Sequence, residues 1–93
     1  MAWYICTVNE VGPATDGSET SSPVVYINLT DTGNTPAAFV GQWFYAAEGG
    51  QNSMLAVALA AINGGKHVRA GGDPPNAGGS PYTIITRLYL KSS

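Results

Sequence analysis

From Trp3 to Val11 the side chains alternate, with Trp3, Ile5 and Thr7 on one face and Tyr4, Cys6 and Val8 on the other, the period of two that a strand requires. Both faces carry apolar groups. Gly12-Pro13 predicts the end of this strand, and the polar run from Pro13 to Pro23 predicts a surface loop. Val24 to Thr30 predicts a second strand, stopped by the turn cluster Asp31-Thr32-Gly33-Asn34. Phe39 to Ala47 interleaves Val40, Trp43 and Tyr45 with Gly41, Gln42 and Phe44, which predicts a third strand with a bulge at Gly41, closed by Gly49-Gly50. The period then changes. Met54 to Ile62 is a run of helix formers, preceded by the capping residues Asn52-Ser53 and followed by Asn63-Gly64-Gly65 for a left-handed end. Lys66 to Ala70 predicts a short strand and Gly71 to Pro81 a Gly/Pro/Asn loop. In the closing strand, Tyr82 to Lys91, Ile84, Thr86, Leu88 and Leu90 alternate with Thr83, Ile85, Arg87 and Tyr89.

The predicted order is three strands, one helix and two strands, βββαββ, in a single mainly β domain spanning residues 1–93. That order fits an OB-like five-stranded barrel whose helix, between the third and fourth strands, plugs one barrel end. The helix is apolar almost all round, with Leu55, Leu59 and Ile62 on one stripe and Ala56, Ala60 and Asn63 on another. A helix with one stripe in the barrel still leaves the opposite stripe to be covered, by its own loops or by another subunit. The second option predicts a homo-oligomer with Ala56 and Ala60 at the interface.

Composition narrows the function classes. Charged residues are 11% of the chain, against roughly a quarter in typical soluble domains. With four basic and six acidic residues and a formal charge of -2, the chain lacks the broad basic surface that releases counterions from a nucleic acid, which argues against that partner. Low charge also leaves little repulsion between copies. The single cysteine, Cys6, has no internal partner and sits where a small buried hydrophobe fits. No segment approaches the ~18 consecutive apolar residues of a membrane span. Nor does a charged start precede an apolar run as in a leader, so the expectation is a soluble domain, exported only if a leader has been removed.

Three groups of residues bear on chemistry. Asp31-Thr32-Gly33 resembles the catalytic turn of retroviral-type aspartic proteases, in which one aspartate from each of two subunits shares a proton. Asn34 stands where that family has a small residue, and no glycine precedes Arg87; Asp-Thr-Gly is also an ordinary turn after a strand. His67 is the only histidine, with no paired cysteine or spaced carboxylates, so neither a transition metal nor another cofactor is expected. The run from Gly71 to Gly79 has no Lys-Ser/Thr pair to make a phosphate loop. Short loops bearing Asp73 and Asn76, beside the aromatics Trp43, Tyr45 and Tyr82, could instead hydrogen-bond a sugar and stack on its apolar face. The competing reading of these residues is turn formers plus sheet-packing aromatics.

The segments Met54 to Ile62, Gly65-Lys66-His67-Val68-Arg69-Ala70 and Ile84-Ile85-Thr86-Arg87-Leu88-Tyr89-Leu90 together resemble small bacterial OB-fold proteins similar to the B subunits of AB-type toxins. The resemblance covers about the C-terminal forty residues. It implies a non-enzymatic module that forms rings and binds glycan or a partner protein. The alternatives are an accessory protein with no small ligand and, third, the protease. B subunits of that kind commonly have an internal disulfide, which one cysteine cannot form. No sugar-contacting motif of that group is present to carry over.

Overall fold

A computed structural model describes residues 2–14, 24–47, 49–72 and 83–92. Its elements are β1 (Ala2–Ala14), β2 (Val24–Asp31), β3 (Gln42–Ala46), α1 (Gln51–Gly64), β4 (His67–Gly72) and β5 (Thr83–Leu90). The strands close a barrel in the order β1-β2-β3-β5-β4, with β4 returning to β1. Every pairing is antiparallel except β3 with β5. The predicted mainly β, OB-like barrel with element order βββαββ is therefore what the chain forms.

Alternation explains the interior except in β5, where the predicted opposition of Ile85 and Leu88 fails because an extra residue between them brings both inward. Cys6, Val25, Ile27, Leu29, Phe44, Val68, Ala70, Ile85 and Leu88 point inward and are buried. Phe39, in the loop before β3, closes the core by packing edge-on against Tyr4 and Phe44, with ring centroids 4.9 and 5.1 Å away. Burial pushes the Cys6 thiol up to about 12, with the neighbouring Asp31 charge adding to the effect. The thiol is thus a core group, as its place in the strand predicts.

Several boundaries differ from the sequence expectation, each because of a pairing partner. Gly12-Pro13 does not end the first strand, since Gly12 lies opposite Tyr26 and Pro13 opposite Val25. Gly41, with φ 62°, forms the corner before β3 and is not a bulge within it. The irregularities fall instead at Asn9 in β1, where the register with β2 shifts between Val8 and Glu10, and at Thr86 in β5, since Gly71 lies opposite Arg87 and Gly72 opposite Ile85. A Cβ at Gly72 would run into the Ile84 carbonyl oxygen, so the close approach of β4 and β5 there needs glycine.

The helix starts earlier than expected, and its N-cap position is Gly50, with no side-chain cap from Asn52 or Ser53. Its C-terminal end is as expected. Gly65 takes the left-handed conformation and Lys66 N–H returns to the Ala61 carbonyl at 2.9 Å. The faces of α1 need correction. The residues it buries are Met54, Ala58 and Ala61, with Leu55 and Val57 partly buried beside them. Ala58 and Ala61 let the helix backbone sit close on the barrel, where it packs against β1, β2, β4 and β5. Leu59, Ile62, Ala56 and Ala60 all face outward in the single subunit. No helix among the described residues is long and apolar enough to cross a membrane.

Candidate functional site

On the outer surface of β2 and β3, alternation places Tyr26, Asn28 and Thr30 on one strand and Trp43 and Tyr45 on the other. Tyr26 lies directly opposite Tyr45, and Asn28 opposite Trp43. Tyr26 and Trp43 meet edge to face with centroids 6.5 Å apart. All three aromatic residues are partly exposed. They form one patch because the register of two strands aligns them, and cross-strand aromatic pairs of this kind also stabilise the sheet.

A row of amides and hydroxyls borders the rings. Asn9, the extra residue at the β1 bulge, turns its side chain across β2 and donates from Nδ2 to Asn28 Oδ1 at 2.9 Å and to Thr30 Oγ1 at 2.8 Å. Asn28 Nδ2 donates in turn to the Gly41 carbonyl at 2.9 Å, and Gly41 N–H donates to Thr30 Oγ1 at 3.0 Å. Asn28 is buried by these contacts, whereas Asn9 is exposed. The network holds the corner at Gly41, which sets where Trp43 stands, so ring positions and amide positions are mechanically linked. Gln42, partly buried, directs Nε2 to the Trp43 carbonyl at 3.4 Å. One charged side chain borders the patch among the described residues: the exposed Glu10 is the β1 partner of Asn28, in the same cross-strand row as Trp43.

Of the predicted ligand-binding residues, Trp43 and Tyr45 are together on this face, two residues apart on β3. Asp73, Asn76 and Tyr82 lie outside the described residues. Sequence reasoning missed Tyr26, Asn28 and Asn9. Tyr26 carries a legible signal, since it alternates with the inward Val25 and Ile27, but Asn9 has none, because its direction comes from a bulge that only the pairing reveals.

Asp31 occupies a different environment. Its backbone N–H donates to the Phe39 carbonyl at 3.0 Å, and the side chain is buried at 2% exposure. Oδ1 accepts from Gly33 N–H at 3.0 Å, and Oδ2 accepts from Asn34 Nδ2 at 2.9 Å and from Ala38 N–H at 2.8 Å. Burial alone raises this carboxyl's pKa, but hydrogen bonds from Ala38, Asn34 and Gly33 outweigh it and hold the group below the ordinary aspartate value. The next residue ties the loop back to β1, with Thr32 N–H donating to the Ile5 carbonyl at 2.8 Å. Asp31 thus organises the loop that carries Phe39 into the core.

Among the described residues no group of three or more His, Cys, Asp or Glu side chains could hold a metal ion. No family model, curated protein or solved structure matches the chain, and the chemistry of the β2–β3 face rests on its own residues.

Proposed function

We propose that the protein is a non-enzymatic binding module that takes up carbohydrate on the outer face of β2 and β3. The observation that carries this reading is the contiguous patch of Tyr26, Trp43 and Tyr45 beside the amide-bearing Asn9 and Asn28. A sugar ring offers an apolar face that stacks on aromatic rings and a rim of hydroxyls that pair with amides, and a patch of both kinds whose bordering charge is the Glu10 carboxylate suits a saccharide without anionic groups. In barrels of this architecture the strand 2–3 face, flanked by the β1–β2 and β4–β5 connections, is a binding surface for oligosaccharides and oligonucleotides. The β4–β5 connection here contains Asp73, Asn76 and Tyr82, which the sequence singles out for the same ligand.

The test is a screen of neutral and acidic glycans, followed by titration of the best ligand with tryptophan fluorescence in the wild type and in Trp43→Ala. Binding that disappears in the variant supports the site. A wild type that binds no glycan leaves the accessory role as the better reading. The assembly belongs to the same proposal. A second copy would pack on the outward face of α1, where Leu59 and Ile62 are 45% and 41% exposed beside Ala56 and Ala60. Asp31, both of whose carboxylate oxygens are engaged in loop hydrogen bonds, supports a structural use of the Asp-Thr-Gly turn over the shared-proton pair of a protease. Cleavage of a peptide library at acidic pH, abolished by Asp31→Asn, would reverse that preference.

A further inference from the structure

All four Lys and Arg residues of the chain lie on or beside β4 and β5: Lys66, Arg69, Arg87 and Lys91. No acidic residue falls within α1, β4 or β5; Asp31 is buried behind Gly33 and Asn34, and Asp73, next after β4, lies outside the described residues. A molecule with a net charge of -2 thus gathers its basic residues on and beside two neighbouring strands.

The two arginines are organised around Trp3. Across the outer surface, Ile5, Arg69 and Tyr89 form one row of strand partners, and Trp3, Gly71 and Arg87 form the next. Gly71 has no side chain, and the Trp3 ring fills that space; a Cβ there would stand 2.9 Å from the ring. Tyr89 stacks on Trp3 with centroids 5.8 Å apart. The guanidinium carbons of Arg69 and Arg87 lie 4.6 and 5.9 Å from the same ring centroid. Among the described residues neither arginine is paired with a carboxylate. Both are exposed. Beside Arg69 an open hollow of about 220 Å³ is lined by Trp3, Tyr4, Ile5, Gly33 and Asn34.

We propose that this outer face of β1, β4 and β5 is a second binding surface, for an acidic polysaccharide. Two guanidiniums held at one aromatic ring repel each other and, among the described residues, are steadied by that ring and not by a carboxylate, so their fork-shaped donors can serve sulfate or carboxylate oxygens. The hollow beside Arg69 gives room for the sugar ring that carries the anion, with Ile5 and Asn34, whose Nδ2 is held by Asp31, among its lining residues. A single-stranded nucleic acid fits less well. It needs open aromatic faces for its bases, and Trp3 is already in contact with Gly71, Tyr89 and the arginines. The inference stands independently of the neutral-sugar reading of the β2–β3 face.

The experiment titrates the whole protein with heparin, hyaluronan and a single-stranded oligothymidylate at low salt, while amide, indole and arginine side-chain NMR signals are followed. Heparin should shift the Trp3 indole and the Arg69 and Arg87 Nε–H signals. Arg69→Gln/Arg87→Gln should weaken binding by about tenfold or more, the loss expected when two charge-assisted contacts are removed. Trp43→Ala should bind heparin as the wild type does, so failure of either face is read separately. Hyaluronan, whose only anions are carboxylates, separates carboxylate from sulfate recognition. The proposal is overturned if wild type does not bind heparin, if the shifts fall on the β2–β3 face, if the double variant binds unchanged, or if oligothymidylate binds more tightly than heparin. The wild-type map keeps the test decisive if the double variant misfolds.

Discussion

The outer face of β2 and β3 and the outer face of β4 and β5 sit on the same barrel, and each carries aromatic rings, yet their chemistry is opposite. Around Trp43 the neighbours are Tyr26, Tyr45, Asn28 and Asn9, with no basic group among the described residues and one carboxylate, Glu10, at the edge, and hydrogen bonds fix the polar groups. Around Trp3 the neighbours are Arg69, Arg87 and Tyr89, and ring contacts hold the charged groups. The inward residues of both regions pack into one apolar core. What differs is the outward half of each alternation, which packing leaves unconstrained. A small barrel can thus present two unrelated binding chemistries without altering the core they share.

The largest expected effect tests whether the two faces really depend on a common core. Phe44 is 1% exposed and its removal by Phe44→Ala should cost about 3–5 kcal/mol, from lost burial and the cavity left behind. Urea unfolding followed separately by Trp43 and Trp3 resonances should give one coincident transition, shifted equally. Separate transitions would mean that the faces are independent units.

Ala60→Glu comes next, because it acts on association and leaves the subunit alone. Ala60 is exposed, so the isolated domain should keep its melting temperature, while a charge in a subunit contact should cost several kcal/mol of assembly if it is fully desolvated. Sedimentation at micromolar concentration distinguishes the cases, and a wild-type monomer would remove the oligomer from the proposal.

A smaller effect is expected at Asp31. Replacing it with Ala should cost about 1–3 kcal/mol, since three loop donors lose their acceptor. The folded carboxyl titrates below the ordinary value of 3.8, so its contribution is fully present above that pH and fades as pH falls through the folded pKa. Wild type should therefore lose stability below about pH 4, and Asp31→Asn should flatten that part of the profile. A variant profile that parallels wild type would assign the acid sensitivity to other groups.

The finest test is salt. Binding of an acidic polysaccharide at the arginine face should fall steadily as ionic strength rises, whereas binding of a neutral sugar at Trp43 should barely change. Equal salt dependence at both faces would erase the distinction between them.

Alternation and helix-forming composition determine the element order here without reference to the fold. Inward residues such as Ile27 and Leu29, the left-handed glycine at the end of α1 and the adjacency of Trp43 and Tyr45 follow from local pattern, whereas Leu88 turns inward beside Ile85 only because the register of β4 and β5 shifts between them. Strand ends do not, because Pro13 remains in a strand only while Val25 lies opposite it. The buried face of α1 also had to be decided by the barrel, since leucine and alanine stripes are both apolar and the end of the barrel accepted the helix through Met54, Ala58 and Ala61. The same holds for both sites. Asn9 reaches Asn28 because a bulge in β1 redirects it, and Arg69 and Arg87 converge on Trp3 because the register sets Gly71 beneath the ring. Away from such irregularities, local pattern fixes which way a side chain points. Which residues from distant strands become neighbours depends on register and closure, and these are settled only when the whole sheet pairs.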